Sequence, residues 1–231
     1  MSESPLYRAA GPVALAAGVF FVITDLGRYP LIGNRLALAT DPLLMAVNAA
    51  YFFAFVGLMV ALIAVHGRLE GATGRFGPCL SCGSMPQRSK ARMHRWLDVA
   101  FLFAVLGIMM QGGNMWFDGF AVPWLADVFP QVFTVRPTLP LQIGGLLSYV
   151  LFALGWVLYG LAALRARAVP VGLALALVVG GVLGYNSGLP PYGTPIGLAV
   201  AGLGTWLIHR DRGTARTGMP DSRSRSQNSR I

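Results

Sequence analysis

Long apolar stretches without a charged side chain recur along the chain. Five of them contain no Asp, Glu, Lys or Arg: Ala9–Thr24, Pro42–Val65, Val99–Phe117, Pro137–Leu164 and Ala168–Ile208. A helix of about 20 residues, rising about 1.5 Å per residue, crosses the apolar core of a bilayer. The pattern therefore predicts an all-α polytopic membrane protein, with one membrane-crossing helix in each of the first four stretches.

The last stretch is 41 residues long, about twice what one span requires. Its middle, residues 188–193, reads Gly-Leu-Pro-Pro-Tyr-Gly, which interrupts any helix. Thr194 and Pro195 then suit an N-cap and a first helical position. This stretch predicts two short helices joined by a tight turn. The chain should thus form a six-helix transmembrane domain over residues 1–209, with spans near 9–26, 43–66, 96–117, 141–164, 169–187 and 193–209.

Charge is distributed unevenly between the connecting segments. Fifteen of the 18 Lys and Arg residues fall on the side that carries both termini, and only Arg28, Arg35 and Arg136 fall on the other. Because positive residues remain in the cytoplasm, we expect both termini to be cytoplasmic and the protein to lie in the plasma membrane. The net charge of +9 follows from this bias. The sequence therefore predicts the lipid bilayer as its partner, and no nucleic acid.

The helices are expected to pair as three helical hairpins. Asp25 precedes Pro30 by five residues, and Asp118 precedes Pro123 by the same distance, which indicates an internal repeat. Chance similarity between apolar helices is the alternative. Small residues also recur every four positions on the first, fifth and sixth spans, and such faces let helices approach closely. We expect them to pack within the chain, although the sequence leaves a protein partner or a homo-oligomer undecided.

The cytoplasmic side carries the only two cysteines, Cys79 and Cys82, spaced as CxxC. Together with His94 they are the candidate metal ligands, and His66 and His209 are expected at the same level. One CxxC supplies only half of a tetrahedral zinc site, and the cytoplasm disfavours disulfides. A zinc site, a redox pair and an inert loop remain open, and we expect the inert loop.

The chain after residue 209 is rich in Arg and Ser and poor in apolar residues. Residues 210–231 are therefore predicted to be a disordered, basic cytoplasmic tail. The tail and the basic loop before the third span suit contact with anionic lipid headgroups. Alternatively, their charges serve only to set the topology.

Polar side chains within the spans collect toward the outer side of the membrane. Six of them are candidate ligand-binding residues: Asp25, Asn48, Gln111, Asn114, Asp118 and Asn186. Polar groups at membrane depth are costly unless they face the bundle interior, a partner or a water cavity. One interpretation is a polar vestibule that opens outward and binds a ligand or an ion.

The second interpretation of these residues is structural. Gly27 and Gly119 suit the positions just after helix ends, which places Asp25 and Asp118 near helix C-termini. The macrodipole opposes a carboxylate there. Both would then require a cation, and Arg28, Arg35 and Arg136 are the only Lys or Arg residues on that side. An ion-pair belt at the outer surface would satisfy this requirement.

The stretch Gly113–Ala126 reads Gly-Asn-Met-Trp-Phe-Asp-Gly-Phe-Ala-Val-Pro-Trp-Leu-Ala. It resembles a Gly-Asp-x-Trp-Phe-Glu-x-Phe-x-x-Pro-x-Leu-Ala-like segment of small hypothetical integral membrane proteins of high-GC actinobacteria. Asn114 and Asp118 stand at the two acidic positions. The resemblance implies a membrane location and no activity. Residues 123–129 within and after it suit either a short interfacial helix or a loop anchored by Trp124.

Three classes of function follow from these patterns. The first is a non-enzymatic membrane protein, the second a small transporter or channel that uses the outer polar residues, and the third a membrane-embedded enzyme. The sequence offers no HExxH, no P-loop and no histidine at membrane depth, so we expect no catalytic residue and no cofactor. A partner role would leave the small-residue face of the sixth span exposed to lipid.

The six-span topology predicts the location of the C-terminus. A reporter enzyme fused after Ile231 should be active only if it functions in the cytoplasm, because an even number of spans returns the chain to the side of its basic N-terminus. Paired cytoplasmic and extracytoplasmic reporters measure this directly. Activity of the extracytoplasmic reporter alone would contradict the topology.

Overall fold

The computed structural model of the chain describes residues 9–28, 41–75, 87–135 and 137–217, and at 70–75, 87–94 and 213–217 it describes the backbone alone. Within these ranges the chain is helical, with no β-strand. The long helices are α1 (Ala10–Gly27), α2 (Pro42–Arg75), α3 (Gln87–Trp116), α5 (Leu139–Arg165), α6 (Val171–Gly184) and α7 (Thr194–Thr217). A π-helical turn, Phe117–Ala121, connects α3 to the short helix α4 (Val122–Val128), and a 3-10 turn, Pro130–Thr134, follows.

The six long helices form a closed ring. Each packs against the long helix before it and the long helix after it in the chain, and α1 packs against α7 to complete the circle. The α1–α7 and α3–α5 pairs are the most extensive. Each long helix thus packs mainly against two others, and the expected hairpins join into one ring.

Four helical stretches are long and apolar enough to cross a membrane: Ala10–Gly27, Pro42–Leu69, Arg95–Val128 and Leu139–Arg165. The fifth apolar helix, α6, is shorter, with 14 residues. Large apolar side chains point away from the ring on these helices, among them Ile23, Leu102 and Val179. The outer surface of the bundle therefore carries many large apolar side chains.

Close approach of backbones holds α1 against α7. A Cβ atom on Gly18 would collide with the backbone of Ala201 and lie 2.5 Å from the carbonyl oxygen of Gly197. One on Gly204 would collide with the backbone of Leu15. The expectation that small residues on the first and sixth spans pack within the chain is confirmed, because only small side chains permit this distance.

Aromatic side chains fill the axis of the ring. Tyr51, Phe55, Phe152, Trp156 and Tyr159 are each at most 1% exposed. Successive ring centroids along this series are 5.0, 5.4, 6.4 and 6.4 Å apart, with largely edge-on contacts, which aromatic pairs favour. We call these five residues the aromatic column. It occupies the axis of the bundle with packed side chains.

The end of α3 differs from the expectation that Gly119 follows a helix C-terminus. The chain stays helical from Gln87 to Val128, through the π-helical turn that contains Asp118. Gly119 is buried there, and a Cβ on it would lie 3.1 Å from the backbone nitrogen of Ala49. No described glycine has a positive φ, so Gly27 does not end α1 in the left-handed conformation either. The glycine at 119 serves close contact with α2.

The end of α7 also differs from the expected boundary at residue 209, since the helix continues to Thr217. Arg68 on α2 donates a 2.5 Å hydrogen bond to Asp211, and the Arg210 guanidinium lies over the Trp206 ring. These contacts extend the helix into the segment that composition marks as a tail. Residues 218–231 of the predicted tail lie outside the described residues.

Replacing Gly18 by Ala should destabilise the protein by about 1–3 kcal/mol, because the added methyl overpacks the α1–α7 contact. Thermal unfolding of the purified protein in detergent measures the loss. Gly113→Ala is the matched control on α3, since no atom lies within 4 Å of its added Cβ. That control should be neutral or gain about 0.5–1 kcal/mol from helix propensity. Equal losses in both variants would contradict the α1–α7 packing.

Candidate functional site

Polar side chains gather where α1, α3 and α6 end and where α2, α5 and α7 begin. We call this part of the bundle the polar end. Its most buried charge is Asp25, which is 0% exposed. One carboxylate oxygen, Oδ1, accepts a 3.1 Å hydrogen bond from the Tyr51 hydroxyl, and the other accepts a 2.8 Å bond from the Thr194 hydroxyl. The backbone of Thr194 also hydrogen bonds to this carboxylate.

The position of Asp25 explains how a carboxylate is tolerated at a helix C-terminus, where the macrodipole opposes a negative charge. The carboxylate lies at the C-terminal end of its own helix, but it bonds the first residue of α7. Positive potential at a helix N-terminus stabilises a negative charge. Thr194, expected to cap α7 with its own side chain, donates its hydroxyl to Asp25 instead. Asp25 therefore ties α1 to α7.

A cation completes this cluster. The guanidinium carbon of Arg28 lies 4.9 Å from the centre of the Tyr51 ring, within the range of a cation–π interaction. Its charge also acts on Asp25. The cation whose charge acts on Asp25 is thus the arginine three residues later. We call Asp25, Arg28, Tyr51, Ser187 and Thr194 the Asp25 cluster.

Tyr51 connects this cluster to the turn between α6 and α7. Its hydroxyl has one proton and two acceptors in reach, Asp25 Oδ1 and the Ser187 carbonyl at 3.3 Å. Its ring packs 5.0 Å from both Phe21 and Phe55. A Cβ on Gly193 would lie 2.5 Å from the Tyr51 hydroxyl oxygen. The turn therefore approaches Tyr51 so closely that it requires glycine at this position.

A second cluster, Gln111, Asn114 and Ser148, links α3 to α5. The Ser148 hydroxyl is 3.0 Å from Gln111 Oε1 and 2.7 Å from the carbonyl oxygen of Gly145. Asn114 donates from Nδ2 to that same hydroxyl. Gln111 and Ser148 are at most 1% exposed. We call this set the Gln111 cluster.

Tyr149 on α5 contacts the turn between α6 and α7. This residue follows Ser148 on α5, and its hydroxyl lies so close to Gly188 that a Cβ there would collide with it. Gly188 in turn follows Ser187, whose carbonyl faces Tyr51. Tyr149 thus places α5, which carries Ser148, against the turn that carries Ser187.

The other predicted ligand-binding residues are dispersed around this region. Asn48 is 3% exposed and lies one turn before Tyr51 on α2, where it contacts the π-helical turn at Gly119. Asp118 is half-buried in that turn, and Asn186 is exposed. The structure thus brings Asp25, Asn48, Gln111 and Asn114 into the polar end and leaves Asn186 at its surface. The sequence indicates how deep in the membrane a residue lies. It does not show which neighbouring helix that residue faces.

Four buried polar atoms at the polar end have no hydrogen-bond partner within the described part of the chain. They are Arg28 Nη1, Asn48 Oδ1, Gln111 Nε2 and Ser187 Oγ. Each such atom costs about 1–3 kcal/mol when nothing satisfies it. The set contains donors and acceptors, so it fits water or a polar ligand that has both.

The opposite end of the bundle carries His66, which is 7% exposed. Its Nε2 lies 3.6 Å from Asp98 Oδ1, and its ring stacks on Phe101 at 4.1 Å. Over the described residues there is no group of three or more His, Cys, Asp or Glu that could hold a metal. Cys79, Cys82 and the His94 side chain lie outside the description, so the predicted metal candidates stay untested.

Sequence reasoning missed the hydroxyl groups that organise the site. Ser148, Ser187 and Thr194 carry no charge, and hydroxyl residues are common in apolar helices, so their spacing gives no signal. Contacts between helices far apart in the chain, such as Tyr51 with Ser187, give these residues their roles.

Replacing Tyr51 by Phe should lower the free energy of unfolding by about 1–3 kcal/mol, because Asp25 loses a donor while remaining buried. Tyr192→Phe is the matched control, since Tyr192 is 41% exposed and should change stability little. Thermal unfolding of both variants in detergent gives the comparison. A Tyr51→Phe variant as stable as the control would show that this hydrogen bond does not support the fold.

No protein-family model, no curated protein and no solved structure matches this chain. The geometry of the polar end is therefore the basis for proposing its function.

Proposed function

We propose that the chain is an integral membrane protein whose six long helices cross the bilayer, and that it carries a small polar solute bound at the polar end. Four helices of sufficient length and apolarity support membrane insertion. So does the outward direction of side chains such as Leu102, which is 62% exposed. A water-soluble protein rarely exposes so continuous an apolar surface.

The two shorter apolar segments complete the six crossings. Helix α6 has 14 residues, about 21 Å at 1.5 Å per residue, and the turns up to Gly193 extend its path. Helix α7 is uncharged from Thr194 to Ile208. With the positive-inside bias, the polar end faces outward and the end carrying His66, Arg68 and Asp211 faces the cytoplasm.

The filled axis favours a carrier over an open channel. Within the aromatic column, Phe152 is 0% exposed, and Phe55 and Trp156 are each 1% exposed. A continuous water-filled path would require these rings to separate. A protein that closes around its solute at one end and then rearranges is compatible with such packing.

The unused polar atoms at the polar end are the observation on which this proposal depends. Arg28 Nη1 and Gln111 Nε2 are donors, Asn48 Oδ1 is an acceptor, and Ser187 Oγ is both. Charged and amide groups at membrane depth are expensive and usually line a substrate path. A solute with both donors and acceptors would satisfy all four.

Two other classes of function receive less support. An enzyme needs a nucleophile beside a base, and Ser187 Oγ makes no hydrogen bond within the described chain. A protein-partner role would expose the small-residue face of α7 to lipid, and Gly197, Ala201 and Gly204 instead pack against α1. The carrier is thus the better-supported interpretation.

The proposal predicts that Gln111, which is 0% exposed, becomes accessible when the polar end opens. In a chain with Cys79→Ser and Cys82→Ser, Gln111→Cys should react slowly but completely with a membrane-impermeant thiol reagent added outside. Intact cells or proteoliposomes and a mass shift measure the reaction. Opening of the bundle is the physical reason, because the closed structure shields this position.

Two further single-cysteine variants control this measurement. Asn186→Cys is exposed at the same end and should react at once. Ile108→Cys lies one turn deeper on α3, at 2% exposure, and should stay unreacted. A Gln111→Cys variant that never reacts, while Asn186→Cys does, would contradict the carrier. Equal labelling rates for Ile108→Cys and Gln111→Cys would indicate loose packing and would also contradict the carrier.

A further inference from the structure

We propose that the solute is a small organic cation, an ammonium or guanidinium compound, and that it binds over Tyr51 in the place that the Arg28 guanidinium occupies. This inference rests on the proposed carrier function and names its substrate class. Arg28 fills the site as a tethered cation, and the solute displaces it.

The Tyr51 ring presents a rigid surface to a cation. It is 0% exposed and packs against Phe21 and Phe55, whose ring centroids each lie 5.0 Å away. The Arg28 guanidinium lies 4.9 Å above it. Attraction to an aromatic face strengthens when both partners are removed from water. The ring and the buried Asp25 carboxylate together form a site of the kind that binds an organic cation.

Arg28 does not saturate this site. Its Nη1 is buried and has no hydrogen-bond acceptor in the described chain, although a guanidinium can donate five hydrogen bonds. Arg28 also follows directly after the end of α1 at Gly27, so its side chain can move without disturbing a helix. A cation held in this way is exchangeable.

Charge balance selects a cation over an anion. Asp25 is fully buried, and its side-chain partners, Tyr51 and Thr194, are neutral. If Arg28 leaves, the carboxylate remains uncompensated in a medium where an unpaired charge is very costly. An incoming anion would add a second negative charge. An incoming cation restores neutrality.

Unused acceptors are available to the N–H groups of such a cation. Asn48 Oδ1 is buried and has no hydrogen-bond partner among the described residues, and Asn48 lies three residues before Tyr51, on the same face of α2. Ser187 Oγ is unpartnered as well, and the carbonyl of Ser187 reaches the Tyr51 hydroxyl. One acceptor thus belongs to the helix that carries Tyr51, and the other to the residue whose carbonyl contacts the Tyr51 hydroxyl.

The first experiment uses chemical rescue of the purified full-length protein. Arg28→Ala should lower its Tm, and millimolar guanidinium should restore part of that loss. Urea, the neutral isostere, and NaCl at equal ionic strength should restore none. Rescue should persist with Tyr51→Phe, which keeps the ring, and vanish with Tyr51→Leu. A lack of rescue by guanidinium, or equal rescue by urea, would overturn the cation site.

The second experiment keeps Arg28 in place and so does not depend on the folding of its variants. Methylguanidinium should slow external thiol labelling of Gln111→Cys, and neutral methylurea and acetate should not. If labelling proceeds and methylguanidinium has no effect, or if methylurea or acetate slows it as much, the cation class is wrong and the carrier stands. If Gln111→Cys never labels, the carrier itself fails.

Discussion

The Asp25 carboxylate is the interaction on which the arrangement of the helices depends. It is fully buried, and a buried charge is tolerated only with donors and a counter-charge in place. Those partners come from α2, from the start of α7 and from Arg28. Satisfying one carboxylate therefore fixes α1, α2 and α7 relative to one another. The α1–α7 contact that closes the ring is made possible by Gly18 and Gly204, because any larger side chain would separate the helices.

The closed ring has two unlike parts. The aromatic column is buried, while the polar end retains donors and acceptors that have no hydrogen-bond partner among the described residues. Movement is thus expected at the polar end. The Asp25 cluster includes Ser187 of the α6–α7 turn, where Gly188 and Gly193 permit close contact with tyrosine hydroxyls. Replacing the cation that lies over the Tyr51 ring would therefore directly affect the contacts of this turn and of the first residue of α7.

Several features of the fold were predictable because they depend on local physics. The Gly-Leu-Pro-Pro-Tyr-Gly segment separates α6 from α7 as expected, and the small residues of the first and last spans pack within the chain. The end of α3 was not predictable, since Gly119 was interpreted as a helix terminator and instead lies in a π-helical turn against Asn48 and Ala49. Glycine has the same sequence signal in both roles. The extension of α7 past residue 209 follows from the Arg68–Asp211 bond, a contact between residues 143 positions apart that composition does not reveal.

The sequence by itself determined the apolar helices, the breaks between them, the charge asymmetry of their ends and the collection of polar residues at one end. These properties follow from hydropathy, proline and glycine chemistry and the distribution of Lys and Arg, which are all local. Only the tertiary structure decided which of these polar residues meet. It placed Asp25 on the N-terminus of α7, brought Gln111 and Asn114 to Ser148, and left Asn186 at the surface. The physical reason is that the rotation of each helix about its axis is set by packing against neighbours distant in the chain.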